Sequence, residues 1–376
     1  MTGQVRHLYA HLPFCAHRCG YCDFVTVVGR DGWHGRYVDA LLEELDLERG
    51  WLADPVETVF LGGGTPTLTD GSELRRLLGA LPTADEVTVE ANPETVTPTL
   101  ARMLREAGVT RVSLGAQSFQ PELLAVLERR ATPDAVRRAF YDLRDASFDN
   151  TSLDLLHGIP GQSATALEAD IDEALALAPE HVSYYELEAK RGTRFAHVHG
   201  AELVRQAEAM EGYFELVVER LNAAGYRWYE TANFCLSSDR AGGRDLRARH
   251  NLGYWRGRDY LGLGIGAVST LGDRRRRNTP RLNAYVTALA RGEAPDRELE
   301  ALDVRTRDEE RLMLGLRLDT GLPLAEAERS VDPNALGRVE RLGLATLRAD
   351  VDGQPTLVLT PRGRRLGGAV TVELLA

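Results

Sequence analysis

Four cysteines in 376 residues are too few for a disulfide scaffold, and Cys235 lies far from Cys15, Cys19 and Cys22. No apolar run approaches the roughly 20 residues that span a bilayer, which excludes a membrane helix. Positive charge is in deficit: 45 Lys and Arg against 56 Asp and Glu leave a formal charge of -11, so nothing supports general nucleic-acid binding. Internal repeats and long low-complexity linkers are missing too. No signal-peptide pattern precedes the first cysteine, and the reducing cytoplasm is the expected compartment. What remains is ordinary globular composition, long enough for one large domain and a smaller one.

Against that background the run FCAHRCGYCDF at 14–24 stands out. Three thiolates on a tight loop, Cys15, Cys19 and Cys22, suit three irons of a 4Fe-4S cluster and leave the fourth iron without a protein ligand. Zinc is the alternative. It wants four closed ligands, and His11 or His17 is the local source of a fourth.

Short β-like runs at 8–12, 58–61, 87–90, 111–114, 151–155 and 181–187 alternate with amphipathic helical patterns such as 38–45 and 100–107, the latter closed by Gly108. Strand, helix, strand at this spacing predicts a parallel sheet with right-handed crossovers. Six such units make an α/β fold, a partial (β/α)6 barrel of the TIM kind, with functional residues at the C-terminal strand ends. A helical segment follows at 201–225. Beyond about residue 295, helical stretches at 308–318, 324–331 and 334–342 lead into a hairpin turning at Asp352-Gly353, which reads as a winged-helix-like α+β module. The expected domains are 1–235, a connecting region at 236–295, and 296–376. The four arginines at 274–277 read as a solvated turn or an anion contact.

The residues closing the strands carry the chemistry. Gly62, Gly63 and Gly64, followed by Thr65, let the backbone approach a ligand and offer N–H donors. Glu90 can accept from hydroxyls or an ammonium, and Gln117 can bond a carboxylate or a ribose. Arg129 can fork onto a carboxylate, and Asp154, in an apolar strand, needs a partner. His250 with Tyr254 and Trp255 joins an imidazole to flat apolar faces that suit a porphyrin, amid Arg244, Arg247, Arg249, Arg256 and Arg258 for propionates. The other reading of one such histidine is a packed core residue.

The cysteine spacing after a strand resembles the cluster loop of the radical S-adenosylmethionine (SAM) enzymes. In that superfamily the open iron chelates SAM, and an electron from the cluster releases a 5'-deoxyadenosyl radical. The wider string, YxHxPFCxxRCxYCDF, GGGTPT, ExNP, RVSLGxQSF, SLDLxxGxPGQ, HxSxYxL, YETANF, HNxxYW and LTPRG, resembles the HemW heme chaperones, relatives of the coproporphyrinogen III dehydrogenase HemN. The resemblance runs from Tyr9 to the end. It implies a cluster on Cys15, Cys19 and Cys22 and SAM contacts at Tyr9, Gly63, Gly64, Thr65, Glu90, Gln117, Arg129 and Asp154, with Tyr21 against the adenine. Heme falls to the motif residues His250, Asn251, Tyr254 and Trp255. The partners implied are heme, a heme-acceptor protein and an electron donor such as flavodoxin or ferredoxin, with room for a homodimer and transient membrane association.

Phe24 stands where the dehydrogenases carry a further cysteine, and their N-terminal extension has no counterpart ahead of Tyr9, which favours the chaperone. Ala131 and Val268 depart from the pattern, since relatives commonly carry histidine there. That departure keeps an enzymatic alternative open, a HemN-like methyltransferase of a small molecule or a porphyrinogen dehydrogenase.

Overall fold

The structure, a computed structural model, describes residues 5–190, 193–349 and 352–375. Nine strands form the main sheet: β1 His7–Leu12, β2 Val56–Gly63, β3 Ala84–Ala91, β4 Arg111–Gln117, β5 Thr151–His157, β6 His181–Glu186, β7 Tyr226–Trp228, β8 Asn233–Leu236 and β9 Leu261–Leu263. Their order is β7-β8-β6-β5-β4-β3-β2-β1-β9. All pairings from β9 through β1 to β6 are parallel, and the β6–β8 and β8–β7 pairings are antiparallel, so β8 alone is reversed. The six expected strands are all present, as an α/β sheet whose apolar strand residues pack with the covering helices in the main core. Two of the covering helices begin at Thr-Pro pairs. Thr97 and Thr132 accept from the N–H groups of Leu100 and Ala135, both at 3.2 Å, and the following proline occupies a position with no donor to lose.

Three expectations change. Region 236–295 is more than a connector, because β9 hydrogen-bonds to β1 and extends the main sheet. The arginine run is no turn: it is strand β11 Arg274–Asn278, between β10 Val268–Leu271 and β12 Arg297–Ala301. Strand alternation sends Arg275 to Glu310, 2.6 Å away, and Arg276 to Glu48 at 2.5 Å. The ladder between β11 and β12 continues this small sheet to residue 301.

The C-terminal module then packs its own core of Leu312, Leu316, Val339, Leu357 and Leu374 around a small antiparallel sheet. That sheet has the order β13-β15-β14, from β13 Leu322–Pro323, β14 Ala345–Ala349 and β15 Pro355–Leu359. The helix expected at 324–331 is instead two 3-10 turns, Leu324–Glu326 and Glu328–Ser330. Buried Ala327 and Ser330 recur at a three-residue interval, which suits the tighter helix. Among the described residues no helix is long and apolar enough to cross a membrane.

A buried carboxylate joins the first helix, His34–Glu48, to the β9–β12 region. Glu44 is fully buried and accepts from Tyr285 Oη (2.6 Å), Gly264 N (2.8 Å), Asn278 Nδ2 (2.7 Å) and Arg297 Nη2 (3.1 Å). Burial pushes its pKa up, while the phenol, the amides and the guanidinium pull it back. Glu44→Ala should destabilise the protein by about 1–3 kcal/mol for each neutral donor left without an acceptor in a dry site, while Arg297 keeps Glu48 at 2.7 Å. Glu44→Gln should cost less. Urea unfolding measures both, and an alanine variant as stable as the native chain refutes the role.

Candidate functional site

The cysteine loop leaves the C-terminal end of β1 and is pinned at its base. Phe14 is buried against His34 and Tyr37, with ring centroids 4.4 and 5.5 Å away. Cys15 N donates to Val27 O (2.9 Å), and Val27 N donates back to Pro13 O (2.8 Å). The three cysteines are half-buried, with free thiols. Burial pushes the Cys15 and Cys22 thiols up, so metal loading would release protons. Cys235 is buried on β8, paired in the ladder with His181, and takes no part in the loop.

His11, one of the two histidines local to the loop, is already committed. Both His11 nitrogens are engaged, by Tyr9 Oη (3.0 Å) and Val25 O (2.8 Å). Among the described residues no three His, Cys, Asp or Glu side chains converge as a single ion requires.

A hydrogen-bonded chain passes behind the loop. Thr65 Oγ1 lies 3.6 Å from Cys15 Sγ and accepts from Asn92 Nδ2 at 2.9 Å. Asn92 Oδ1 accepts from Arg129 Nη2 (2.9 Å), which also donates to Gly115 O (2.9 Å), and Arg129 Nη1 stands 3.7 Å from Cys19 Sγ. Arg129 Nε is buried with no hydrogen-bond partner among the described residues. Asn92 was not among the candidates read from the sequence, although its place in the ExNP segment just past β3 was a usable signal.

The glycines have a packing role at the base of the loop. Their N–H groups are already engaged: Gly63 donates to Glu90 Oε2 (3.1 Å), Gly64 to Leu12 O (2.8 Å) and Thr65 to Phe14 O (2.8 Å). A Cβ at Gly63, where φ is +108°, would fall 2.3 Å from His11, and one at Gly64 2.5 Å from the Pro13 carbonyl. Glycine is required so that the cysteine loop can lie against β2.

The two carboxylates face the open barrel interior, where they keep some solvent-accessible surface while protein crowds them from several sides. Burial, reinforced by Asp154, raises the Glu90 pKa to about 7. Asp154 is also pushed up by burial, although Ser113 Oγ donates to it at 2.9 Å. Gln117 follows a register shift after Gly115 and has φ +66°, a conformation costly for glutamine and of the kind found at ligand sites. Tyr21 packs against the Leu127, Leu156 and Phe195 cluster. Ala131 is buried and Val268 half-buried, and neither adds a polar group.

The heme-motif residues stand elsewhere. Their helix, Arg249–Trp255, docks on the N-terminal halves of the strands, where the Glu86 carboxylate accepts from the N–H groups of Arg249 and His250, each at 3.2 Å. His250 is 1% exposed, and both its nitrogens are used, Nδ1 with Thr58 Oγ1 (2.7 Å) and Nε2 with Tyr254 Oη (2.9 Å). Burial lowers its pKa to about 3, so the ring is neutral. The helical spacing does bring Tyr254 to His250, but as an internal hydrogen bond. Trp255 lies under the Arg317 guanidinium, 4.1 Å from the ring centroid, and Asn251 is half-buried on the same helix. In this conformation both His250 nitrogens are held within the protein, by Thr58 and Tyr254. Phe60 stacks on His250 (5.0 Å) and on Tyr9 (6.1 Å), so rings fill the barrel between the motif and the cysteine loop.

One consequence is measurable. The unfolded chain releases the Glu90 proton near 4.5 and the folded chain near 7, so folding stability falls as pH rises through that window. Glu90→Gln should remove this slope, leaving the variant about 1–3 kcal/mol better off relative to native at pH 7 than at pH 4.5. Urea unfolding across the pH series tests it, and parallel curves refute it.

The Radical SAM superfamily pattern matches residues 9–174. The chain is 39% identical to heme chaperone HemW of Mycobacterium tuberculosis, over 100% of this chain and 96% of that one. Identity to heme chaperone HemW of Bacillus subtilis is 32%, covering 97% and 98% of the two chains. Coproporphyrinogen III oxidase (HemN) from Escherichia coli, described as a radical SAM enzyme, superposes with a TM-score of 0.77 over 99% of this chain and 90% of its own; at 21% identity this shows the shared fold. With full-length identity of 39% behind the site geometry, the chain belongs to the HemW family of radical SAM proteins.

Proposed function

We propose that this chain is a heme chaperone that holds a 4Fe-4S cluster on Cys15, Cys19 and Cys22, binds SAM at the C-terminal ends of β1–β5, and passes heme to an acceptor protein in the reducing cytoplasm. The observation that carries the cofactor reading is the Thr65, Asn92 and Arg129 chain, because it touches two of the three sulfurs. It backs Cys15 and Cys19 at separate points, which suits thiolates spread over a cube with one open iron. When bound, the cluster and SAM supply one-electron chemistry that side chains lack.

The chain's own residues supply recognition. Glu90 and Asp154 suit an ammonium or ribose hydroxyls, and the unpartnered Arg129 Nε offers a further donor to a carboxylate. Tyr9, Tyr21, Gly63, Gly64 and Gln117 would frame the same ligand. The relatives' name supports heme as cargo, with the HNxxYW region, His250, Asn251, Tyr254 and Trp255, as its side of the protein. Phe24, 65% exposed, offers no thiolate where the dehydrogenases have one.

Anaerobic reconstitution tests the cluster. Cys19→Ala should fall to background iron and acid-labile sulfide, while Cys235→Ala should load like the native chain. One zinc per native chain with no iron uptake overturns the assignment.

Arg129→Ala and Asp154→Ala should each weaken SAM binding to the reconstituted protein by about 1.5–3 kcal/mol and leave the cluster spectrum unchanged. Unaltered SAM affinity in both rejects the barrel-mouth site. Turnover of a porphyrinogen or a methyl acceptor, with 5'-deoxyadenosine or S-adenosylhomocysteine accumulating, would replace the chaperone with an enzyme.

A further inference from the structure

The far side of the HNxxYW helix borders a cavity of about 720 Å3 between the β9–β12 region and the C-terminal module. That volume lies in the range of about 300–1,000 Å3 usual for small-molecule and cofactor sites. One wall carries Tyr254 and Tyr260, their rings edge to face at 4.6 Å, and the other Leu302, Val304 and Met313. Val304 and Met313 are 59% and 50% exposed, an unusual degree for apolar side chains lining a shared hollow.

Five arginines also line it, and they divide into two groups. Arg275 is held by Glu300 and Glu310 (3.2 and 2.6 Å), Arg311 by Glu326 (2.6 Å) and Trp255 O (3.2 Å), and Arg329 by Asp308 (2.9 Å). Arg258 and Arg307 have no hydrogen bond or ion pair from their side chains among the described residues, and both are exposed. Arg258 follows the motif helix and Arg307 belongs to the helix Val304–Gly315, so each wall contributes one uncommitted guanidinium. Apolar walls with a free cation on each side fit a flat apolar body carrying two carboxylates.

We propose that this cavity is the porphyrin site, with Arg258 and Arg307 each taking one propionate of heme. The assignment rests on the heme-chaperone reading above and adds to it a place, the choice of Arg258 among the arginines the sequence offers to propionates, and a second anchor, Arg307, from the C-terminal side. Tyr254 lines the cavity while its hydroxyl bonds His250 Nε2 at 2.9 Å, so the imidazole stands one side chain behind the wall. A turn of Tyr254 would open His250 to a macrocycle seated there.

The test is Soret titration of the full-length protein with heme and, separately, with heme dimethyl ester, whose carboxylates are blocked. Comparison is between the native chain, Arg258→Ala/Arg307→Ala, and Arg274→Ala, whose side chain is 80% exposed and outside the cavity. The double variant should lose at least tenfold in heme affinity, as expected for two charge-assisted hydrogen bonds. The ester should bind native and double variant alike, and Arg274→Ala should match the native chain. Both double-variant arginines are exposed, so thermal unfolding should be unchanged. If native protein binds heme and the double variant binds it within about twofold, the cavity assignment is overturned and the heme reading stands. Equal loss in Arg274→Ala would also overturn it, by revealing a general charge effect. Native protein that binds no heme overturns the chaperone reading itself.

Discussion

The close approach of two backbones at the ends of β1 and β2 is the constraint on which the site depends. Gly64 lies so near Pro13 that any side chain there would strike its carbonyl, and Gly63 faces the His11 ring in the same way. Because the two loops touch, Thr65 reaches Cys15, Asn92 reaches Thr65, and Arg129 closes the series at Cys19. A displacement of one ångström at the glycines would break each of these bonds, since hydrogen bonds weaken steeply with distance and angle. The glycine run therefore organises the cysteines through contact with the loop that carries them. Gly64 N and Thr65 N are committed to that contact, while Gly63 N is taken by Glu90.

The barrel interior has a second organising feature, a column of rings. His250 stacks on Phe60, Phe60 on Tyr9, and Tyr9 hydrogen-bonds His11, which bonds Val25 just beyond the cysteine loop. Burial lowers the pKa of His7, His11 and His250, so the column stays uncharged near neutrality. An imidazole held neutral by burial keeps a lone pair, but here the hydroxyls of Thr58 and Tyr254 occupy both His250 nitrogens. The two ends of the barrel are thus joined by packed side chains, with the cysteine loop at one end and the HNxxYW helix at the other. Repacking either end would be felt by the ring stack, because protein interiors are close-packed.

Much of this was legible in the chain alone. The parallel strands, the Thr-Pro helix starts, the cysteine triad and the order of residues at the strand ends are local patterns whose physics acts over a few residues. What the sequence by itself determined is the α/β alternation, the thiolate spacing and the glycines that make their loop possible. The tertiary structure decided where lone pairs and charges find partners. Thr58 lies 192 residues from His250 in sequence yet supplies its hydrogen bond, so whether that histidine is a ligand or a core residue cannot follow from its neighbours in the motif. Likewise the four arginines at 274–277 became a strand because Glu48, Glu300 and Glu310, from three other elements, line up against its two faces. Asn92 became the bridge of the site because β3 ends beside both Thr65 and Arg129. Short-range preferences choose each element; long-range burial and pairing choose what each polar group does.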